Sequence, residues 1–193
     1  MHRPVRVTAP AVLPVSVVDV KKALRVDSSD DDALIESLIQ AAVDYYEGWT
    51  GVLGICLVEQ AWRQSYDQFD QWLCLPLGPA IEPIAVSWRN SAGQISIIPT
   101  ASYGLETSAG GQSQIRFRNA FSKPSDLYER GAVTVEYKAG WPIVDAKPTV
   151  PKDICTAIIA RVQIGYEQSA TEASATLSVI ENALISKWRR FSI

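Results

Sequence analysis

The stretch DDDALIESLIQAAVDYYEGWTG, residues 30–51, carries a clear helical pattern. Its apolar residues recur at steps of three and four, which is the period of an amphipathic helix. Acidic residues stand where a helix N-terminus favours negative charge, and Gly51 is placed to end the helix. The sequence therefore predicts a helix from about Asp31 to Thr50, roughly 30 Å long. We expect its broad apolar stripe in a core. Leu34, Leu38, Tyr45 and Trp49 lie along it, and Ile35, Ile39 and Tyr46 widen it.

Helical patterns occur on both sides of a β-rich middle. A short helix begins at Ser16, which can form a capping box with Asp19, and helix returns after Pro151. Between them the period shortens and Gly, Pro, Asn and Ser become frequent, which indicates antiparallel strands. We predict strands near residues 57–66, 71–75, 84–89, 95–98, 103–106, 114–117 and 132–137, with a hairpin through Asn90-Ser91-Ala92-Gly93.

This order predicts an α+β fold in which both chain ends form one helical domain. Neither helical pair can bury its apolar stripe alone, so we expect residues 16–54 and 145–193 to pack together. Residues 55–144 are predicted to be an inserted antiparallel β domain, either a barrel or sandwich-like. Residues 1–15, rich in Pro, Val and Ala, are predicted to be an extended N-terminal arm.

Composition excludes several classes of protein. The chain of 193 residues is 47% hydrophobic and carries a formal net charge of −3. It has no basic cluster before its last residues, so we expect no tight DNA binding. It shows neither a signal peptide nor an eighteen-residue apolar run, which predicts a cytoplasmic origin and no membrane partner. Cys56, Cys74 and Cys155 match no metal or redox spacing, and we expect them to be small buried residues.

No pattern indicates catalysis, a cofactor or a metal. The only histidine is His2, in the predicted flexible arm, so no positioned imidazole is available to a serine or cysteine. The acidic run from Asp27 to Asp32 lacks the glycine and the distal glutamate of an EF-hand loop, and a helix start explains it. We therefore predict a protein that is not an enzyme and binds no cofactor.

The C-terminal segment, residues 177–193, combines an apolar stripe with positive charge. After a polar break at 168–174, apolar residues recur at steps of three and four, and a basic cluster follows. Two alternatives remain open: the segment folds back on its own helical domain, or it docks on a partner. The candidate interface residues are Leu177, Ile180, Leu184, Lys187, Trp188, Arg189, Arg190 and Phe191.

Several stretches, in this order, resemble the head–tail connector (adaptor) family of long-tailed phages and gene transfer agents, in its long form with a β insertion. The first helix, VVDVKKALRVD at 17–27, is similar to the family's first helix, and Tyr46-Glu47-Gly48-Trp49-Thr50-Gly51 is similar to its aromatic–Glu–x–aromatic–Thr–Gly ending. The closing strand VTVEYKAGW at 133–141 also matches. The chain departs from the family pattern after Tyr166-Glu167 and at Lys187-Trp188-Arg189-Arg190, which bears on the detail of the portal contact.

The resemblance implies a structural virion protein, made in the bacterial cytoplasm and located in the neck of the particle. It implies a ring of twelve copies that binds the portal protein on one side and a downstream neck or tail protein on the other. DNA would pass through the ring only as cargo. In that setting we expect Leu34, Leu38, Tyr45 and Trp49 near the subunit seam as well as in the core.

Two other readings stay open. The tryptophans are also compatible with a β-sandwich module that binds carbohydrate, although such a module does not explain why helices bracket the strands. Another neck component, a stopper or a tail terminator, is the second alternative, and the helix-first order argues against it.

Overall fold

The computed structural model describes residues 2–167 and 172–189. The described part of the chain contains four α-helices and ten strands. In chain order they are β1 (Val5–Thr8), α1 (Val17–Leu24), α2 (Asp32–Tyr46), β2 (Gln60–Tyr66), β3 (Trp72–Leu75), β4 (Ala80–Arg89), β5 (Ile95–Ile97), β6 (Tyr103–Thr107), β7 (Ser113–Phe117), β8 (Val133–Ala139), β9 (Ile143–Val144), β10 (Lys147–Pro148), α3 (Lys152–Tyr166) and α4 (Glu172–Ile185).

The chain divides into two compact units. The β unit consists of Met1–Ala11 and Glu59–Trp141, and the helical unit consists of Val12–Val58 and Pro142–Ile193. The α+β fold class predicted from the sequence is confirmed, and all seven strands predicted between residues 57 and 137 are present. Strands β1, β9 and β10 were not predicted, because each has four residues or fewer, which is too short for a clear period.

The β unit contains an open five-stranded sheet in the order β1-β2-β8-β4-β5 and a three-stranded sheet in the order β3-β7-β6. Every strand pair in both sheets is antiparallel. The larger sheet has two end strands, so the unit is not a closed barrel. Alternate residues of β8 are buried, as expected for a strand with one face in a core. The phenol of Tyr66 on β2 donates a hydrogen bond to the carbonyl of Cys74 on β3, 2.6 Å away.

The predicted hairpin between β4 and β5 is confirmed. The amide N–H of Asn90 donates to the carbonyl of Gln94 at 3.0 Å, and the Asn90 side chain accepts from the Gln94 N–H at 2.8 Å. Gly93 has φ +84°, a conformation that glycine adopts without steric cost.

The N-terminal segment is more ordered than the predicted flexible arm. Strand β1 pairs with β2, with Val5 opposite Arg63. The His2 imidazole lies 2.7 Å from an Asp67 carboxylate oxygen, which also accepts the Gly131 N–H at 2.8 Å. Both contacts hold the pKa of Asp67 below its usual value, the Gly131 N–H more than the imidazole. The expectation of a flexible His2 was therefore wrong, because its partner lies more than sixty residues away in the sequence.

The helical unit begins with the predicted capping box. The Ser16 hydroxyl accepts the N–H of Asp19 at 3.1 Å and donates to the Asp19 carboxylate at 2.7 Å. Helix α1 ends at Arg25, which has a left-handed backbone. Helix α3 follows Pro151, as predicted. The core of this unit combines α2 and α3 side chains, among them Ile35, Ile39, Tyr46, Ile154 and Ile158.

Helix α2 ends at Tyr46, four residues before the predicted end at Thr50. The Glu47 carboxylate accepts the N–H of Leu57 at 2.7 Å, and the N–H of Gly48 donates to the carbonyl of Ile55 at 2.8 Å. These contacts draw the chain back across the helix end, and Gly48 has φ +83° there. A Cβ at Gly51 would overlap the carbonyls of Tyr46 and Glu47. The glycine of the Trp49-Thr50-Gly51 motif is thus required by close packing, not by helix termination.

The three cysteines have different surroundings. Cys56 is buried as predicted, whereas Cys74 is exposed and Cys155 is half-buried. The prediction of three buried cysteines was therefore wrong for Cys74, whose side chain lies on the outward face of β3.

Candidate assembly surfaces

The C-terminal helix α4 packs along α3 within the helical unit. Ile185 is buried, while Leu177, Leu184 and Trp188 are half-buried. Ile180 and its neighbour Val179 are exposed on the outward side. Arg190 and Phe191, both members of the predicted interface, lie outside the described residues. In this structure the segment thus lies on its own subunit, and Ile180 is the most exposed apolar member of the predicted set among the described residues.

A buried polar cluster joins three helices at the middle of α4. The Glu181 carboxylate, which is buried, accepts a hydrogen bond from the Tyr46 phenol of α2 at 2.5 Å. The same carboxylate oxygen accepts from the Arg161 guanidinium of α3 at 2.9 Å. Arg161 also lies over the ring of Tyr45, 3.4 Å from its centroid. Each buried polar group of the cluster therefore has a partner, as a stable interior requires.

The electrostatics of this cluster favour a neutral phenol as donor. Burial raises the pKa of Tyr46 far above its usual value, and the hydrogen bond to Glu181 raises it further. The phenol therefore keeps its proton at physiological pH and donates it to the carboxylate. Sequence reasoning missed Glu181, although a lone acid inside an apolar helical segment was the available signal.

A second polar contact holds the end of α4. The Asp153 carboxylate, in the first turn of α3, accepts from Lys187 at 2.6 Å and from the Trp188 indole N–H at 2.8 Å. Burial of Asp153 acts to raise its pKa, but these two donors and the Ile154 N–H together lower it below its usual value. Arg189 donates to the Asn182 side chain at 2.9 Å. Three of the predicted interface residues thus have partners inside the subunit.

Helix α2 has two apolar stripes. The buried stripe contains Ile35, Ile39, Ala42, Val43 and Tyr46. The predicted stripe lies beside it: Leu34 and Tyr45 are exposed, Leu38 is half-buried, and Trp49, beyond the helix end, is 46% exposed. The prediction of core positions was therefore wrong for Leu34, Tyr45 and Trp49. It was correct for Ile35, Ile39 and Tyr46, which were predicted to widen the stripe and are buried. The place of Leu34, Leu38, Tyr45 and Trp49 at a subunit seam stays a prediction.

The acidic turn before α2 is engaged in structural contacts. Lys21 of α1 contacts the Asp32 carboxylate at 2.6 Å, and the Tyr166 phenol donates to Asp31 at 2.6 Å. No group of three or more metal-ligating side chains occurs within residues 2–167 and 172–189. No helix in the same ranges is long and apolar enough to cross a bilayer.

An open cleft lies in the β unit. It is lined by Tyr66, Asp67, Gln68, Asp70, Trp72 and Cys74. Trp72 is exposed there, as a carbohydrate-binding tryptophan would be. However, the Arg116 guanidinium lies over its ring, 5.4 Å from the centroid, where a sugar would stack. The carbohydrate alternative therefore gains no support from this cleft.

Comparisons with known proteins agree with the resemblance found in the sequence. Residues 15–103 match the model of the phage gp6-like head-tail connector protein family. The resemblance to head–tail connectors is confirmed over that part of the chain. No curated protein showed a significant match.

Solved structures share the fold over nearly the whole chain. A chain from the neck of an empty GTA particle, computed with C6 symmetry, superposes with a TM-score of 0.79 at 21% identity, covering 100% of this chain and 97% of the other. A chain from the virion of a native gene transfer agent gives 0.76 at 20% identity, covering 98% and 96%. A third, from the neck of a native GTA particle computed with C12 symmetry, gives 0.75 at 20% identity, covering 100% and 97%.

Proposed function

We propose that this chain, identified over residues 15–103 as a phage head–tail connector protein, forms a ring in the neck of a virus-like particle. The ring would join the portal of the head to the next neck or tail protein, and DNA would pass through it. The observation that carries the proposal is the fold match over the full chain to proteins from the neck of GTA particles. The C12 symmetry of one match favours twelve copies.

Exposed apolar surface on the helical unit supports an assembly role. Leu34, Tyr45 and Trp49 present large apolar side chains to solvent, beside a helix face that is already buried. A single subunit leaves much of this second stripe in water, whereas burial between neighbours would remove it from water. We propose that the stripe of Leu34, Leu38, Tyr45 and Trp49 lies at the seam between adjacent subunits.

The outward side of α4 supports portal docking. Ile180 is exposed there, and Lys187 and Arg189 add positive charge near the helix end. The proposed portal-binding set keeps all eight candidates, with Trp188 and Phe191 as anchors and the basic residues as orienting contacts. To bind the portal, Trp188 and Lys187 would either release Asp153 and contact a portal residue instead, or contact the portal while still bonded to Asp153.

The net charge of the chain is compatible with passage of DNA through the proposed ring. The net charge of −3 provides no general affinity for phosphate. A lumen without a basic lining lets the duplex slide, which is what transit requires. We therefore propose that DNA is cargo and not a ligand.

The seam is tested by a single charge. Leu34→Asp should abolish ring formation by the full-length protein while leaving its circular dichroism spectrum unchanged. Ala33→Asp, one residue away on an exposed position, is the matched control and should form rings as the unaltered protein does. Rings are counted by negative-stain microscopy and mass photometry. Rings that persist in the Leu34→Asp protein contradict the seam.

Portal docking is tested separately. Ile180→Asp should retain rings but lose binding to purified portal, whereas Ala175→Asp, at an exposed position more than one turn earlier, should bind normally. Failure of the unaltered protein to form rings or to bind any portal from its own particle would contradict the proposed function itself.

A further inference from the structure

The two end strands of the five-stranded sheet expose apolar side chains on the same face. Register connects them: Val5 of β1 lies opposite Arg63, and Arg63 lies opposite Glu136 of β8. Two residues earlier on β8, Thr134 lies opposite Ser87 of β4, which lies opposite Ile97 of β5. Since residues two apart on a strand share a face, Val5 and Ile97 project to the same side of the sheet.

The middle of this face is polar and internally paired. Arg63 and Glu136 form an ion pair at 2.7 Å, and Lys138 contacts Glu82 at 3.0 Å. The most exposed apolar side chains of the sheet are at its two ends. Ile97 is 75% exposed, Ile95 is 66% exposed and Val5 is 59% exposed. A face with charged centre and apolar ends is suited to contacts along its edges.

The β5 edge lacks several of the features that normally prevent two sheet edges from pairing. Ser96 pairs with Trp88, and the Ile98 N–H donates to the Val86 carbonyl, so residues 96 and 98 direct their backbone groups toward β4. Alternation then directs the backbone groups of Ile95 and Ile97 away from β4. The strand Ile95-Ser96-Ile97 is short, at three residues, but it carries no charge, proline or bulge, which are other usual protections of an edge strand.

The β1 edge is short and offers few backbone groups with which another strand could pair. Pro4 precedes it, and the register with β2 shifts between Arg6 and Thr8. Its exposed valines, Val5 and Val7, are spaced two apart, as are Ile95 and Ile97. The proline and the register shift would confine any added strand to a few residues.

We propose that β5 of one copy packs against β1 of the next copy, so that the larger sheets join edge to edge around the ring. The inference rests on the proposed function because it requires a ring. Four successive antiparallel steps separate β1 from β5, so the two strands run in the same direction. Copies related by rotation would therefore place them parallel, with Val5 and Val7 beside Ile95 and Ile97.

A second copy is the occupant favoured by the arrangement itself. Every subunit carries one edge of each kind on the same face, so each contact leaves a complementary pair of edges for the next subunit. Such a head-to-tail contact is repeated from copy to copy. It generates a closed ring when the rotation between neighbouring copies divides a full turn evenly. Pairing of β5 with another β5 would be two-fold and would stop at dimers.

A charge on β5 tests the contact. Ile97→Lys should fold normally, because the side chain is exposed, but should reduce the fraction of subunits in rings at least tenfold. Gln112→Lys adds the same charge at an exposed turn of the β unit away from both edges and should leave ring formation unchanged.

Disulfide trapping identifies the neighbour. In a background with Cys74→Ser and Cys155→Ser, the double variant Val5→Cys/Ile97→Cys should give a ladder of multimers on a denaturing, non-reducing gel. Each single variant should remain monomeric on the same gel. Rings that persist in Ile97→Lys together with absence of the ladder overturn this inference and leave the proposed function intact. Absence of rings in the unaltered protein, with or without portal, overturns both.

Discussion

Helices α2 and α4 belong to the same unit but are attached to it by different forces. Helix α2 buries a continuous apolar stripe that includes Ile35, Ile39 and Val43. Helix α4 buries Ile185 but is also attached through polar groups, with Glu181 bonded at its middle and Asp153 accepting from its end. Apolar burial is insensitive to pH and salt, whereas charged hydrogen bonds respond to both. The comparison indicates that α2 supplies stability and that α4 is the element whose attachment can be adjusted.

Loss of a buried methyl-rich side chain in α2 should produce the largest effect. Ile39→Ala removes a fully buried side chain and should lower the free energy of unfolding by about 2–5 kcal/mol. Leu34→Ala, on the exposed stripe of the same helix, should change it by less than about 1 kcal/mol. Urea unfolding followed by circular dichroism measures both. Equal losses for the two variants contradict the division of α2 into a buried and an exposed stripe.

Removal of the central acid in α4 should cost less. Glu181→Leu leaves the Tyr46 phenol and the Arg161 guanidinium without their acceptor, and we expect a loss of about 1–3 kcal/mol. Tyr46→Phe removes only one donor and should cost about 1 kcal/mol. Hydrogen exchange should report the Glu181→Leu loss as faster exchange in residues 174–188, with little change in α2. Uniform acceleration through both helices contradicts separate attachment.

Acid should loosen the end of α4 before it unfolds the unit. The folded-state pKa of Asp153 is lowered, so its contacts contribute stability that is fully present above the unfolded pKa, near 3.9. That contribution is lost as pH falls through the lower folded pKa. The protection of residues 182–188 against hydrogen exchange, relative to the intrinsic rate at each pH, should fall as the pH is lowered from 5 in the unaltered protein. Asp153→Asn should show this lower protection already at pH 5 and a flatter pH dependence of protection; an unchanged profile rules out the contact.

Trp49→Ala should produce the smallest change in stability. Placement in the core predicted a loss of about 3–5 kcal/mol. At 46% exposure, we expect less than about 1 kcal/mol in the isolated subunit. Ring formation should nevertheless weaken if Trp49 lies at the seam. Thermal melting of the subunit and mass photometry of the ring separate the two effects, and a core-sized loss of stability contradicts the exposed position.

Local patterns predicted most elements correctly. The capping box at Ser16 and the hairpin at Asn90 depend on neighbouring residues, so the sequence alone was enough. The end of α2 was predicted four residues too late because it is set by Glu47 and Ile55, which meet only after the chain has turned. The centre of the broad apolar stripe of α2 was misplaced for a related reason. Leu and Ile are both apolar, and only the packing of α3 determines which side faces inward.

Only part of the proposed assembly surface could be predicted from the sequence. The apolar and basic character of the α4 segment was evident, and the residues themselves are where the pattern placed them as far as residue 189. The partners Glu181 and Asp153 were missed, because a polar residue on a helix gives no sign of the donor it will meet. Contacts such as that between Tyr46 and Glu181 join positions 135 residues apart, and no periodicity records such distances.

That separation also sets the order in which the chain can fold during synthesis. Translation proceeds at about 5–20 residues per second, so the 135 residues between Tyr46 and Glu181 take roughly 7–27 s to appear. Helix α3 begins only at Lys152, so for most of that interval α2 has no α3 to cover it, and α4 is made last. The β unit, by contrast, has all its strands once Ala139 has emerged. The nascent chain will therefore carry a finished β unit and an uncovered apolar helix together, which makes α2 a natural binding site for chaperones.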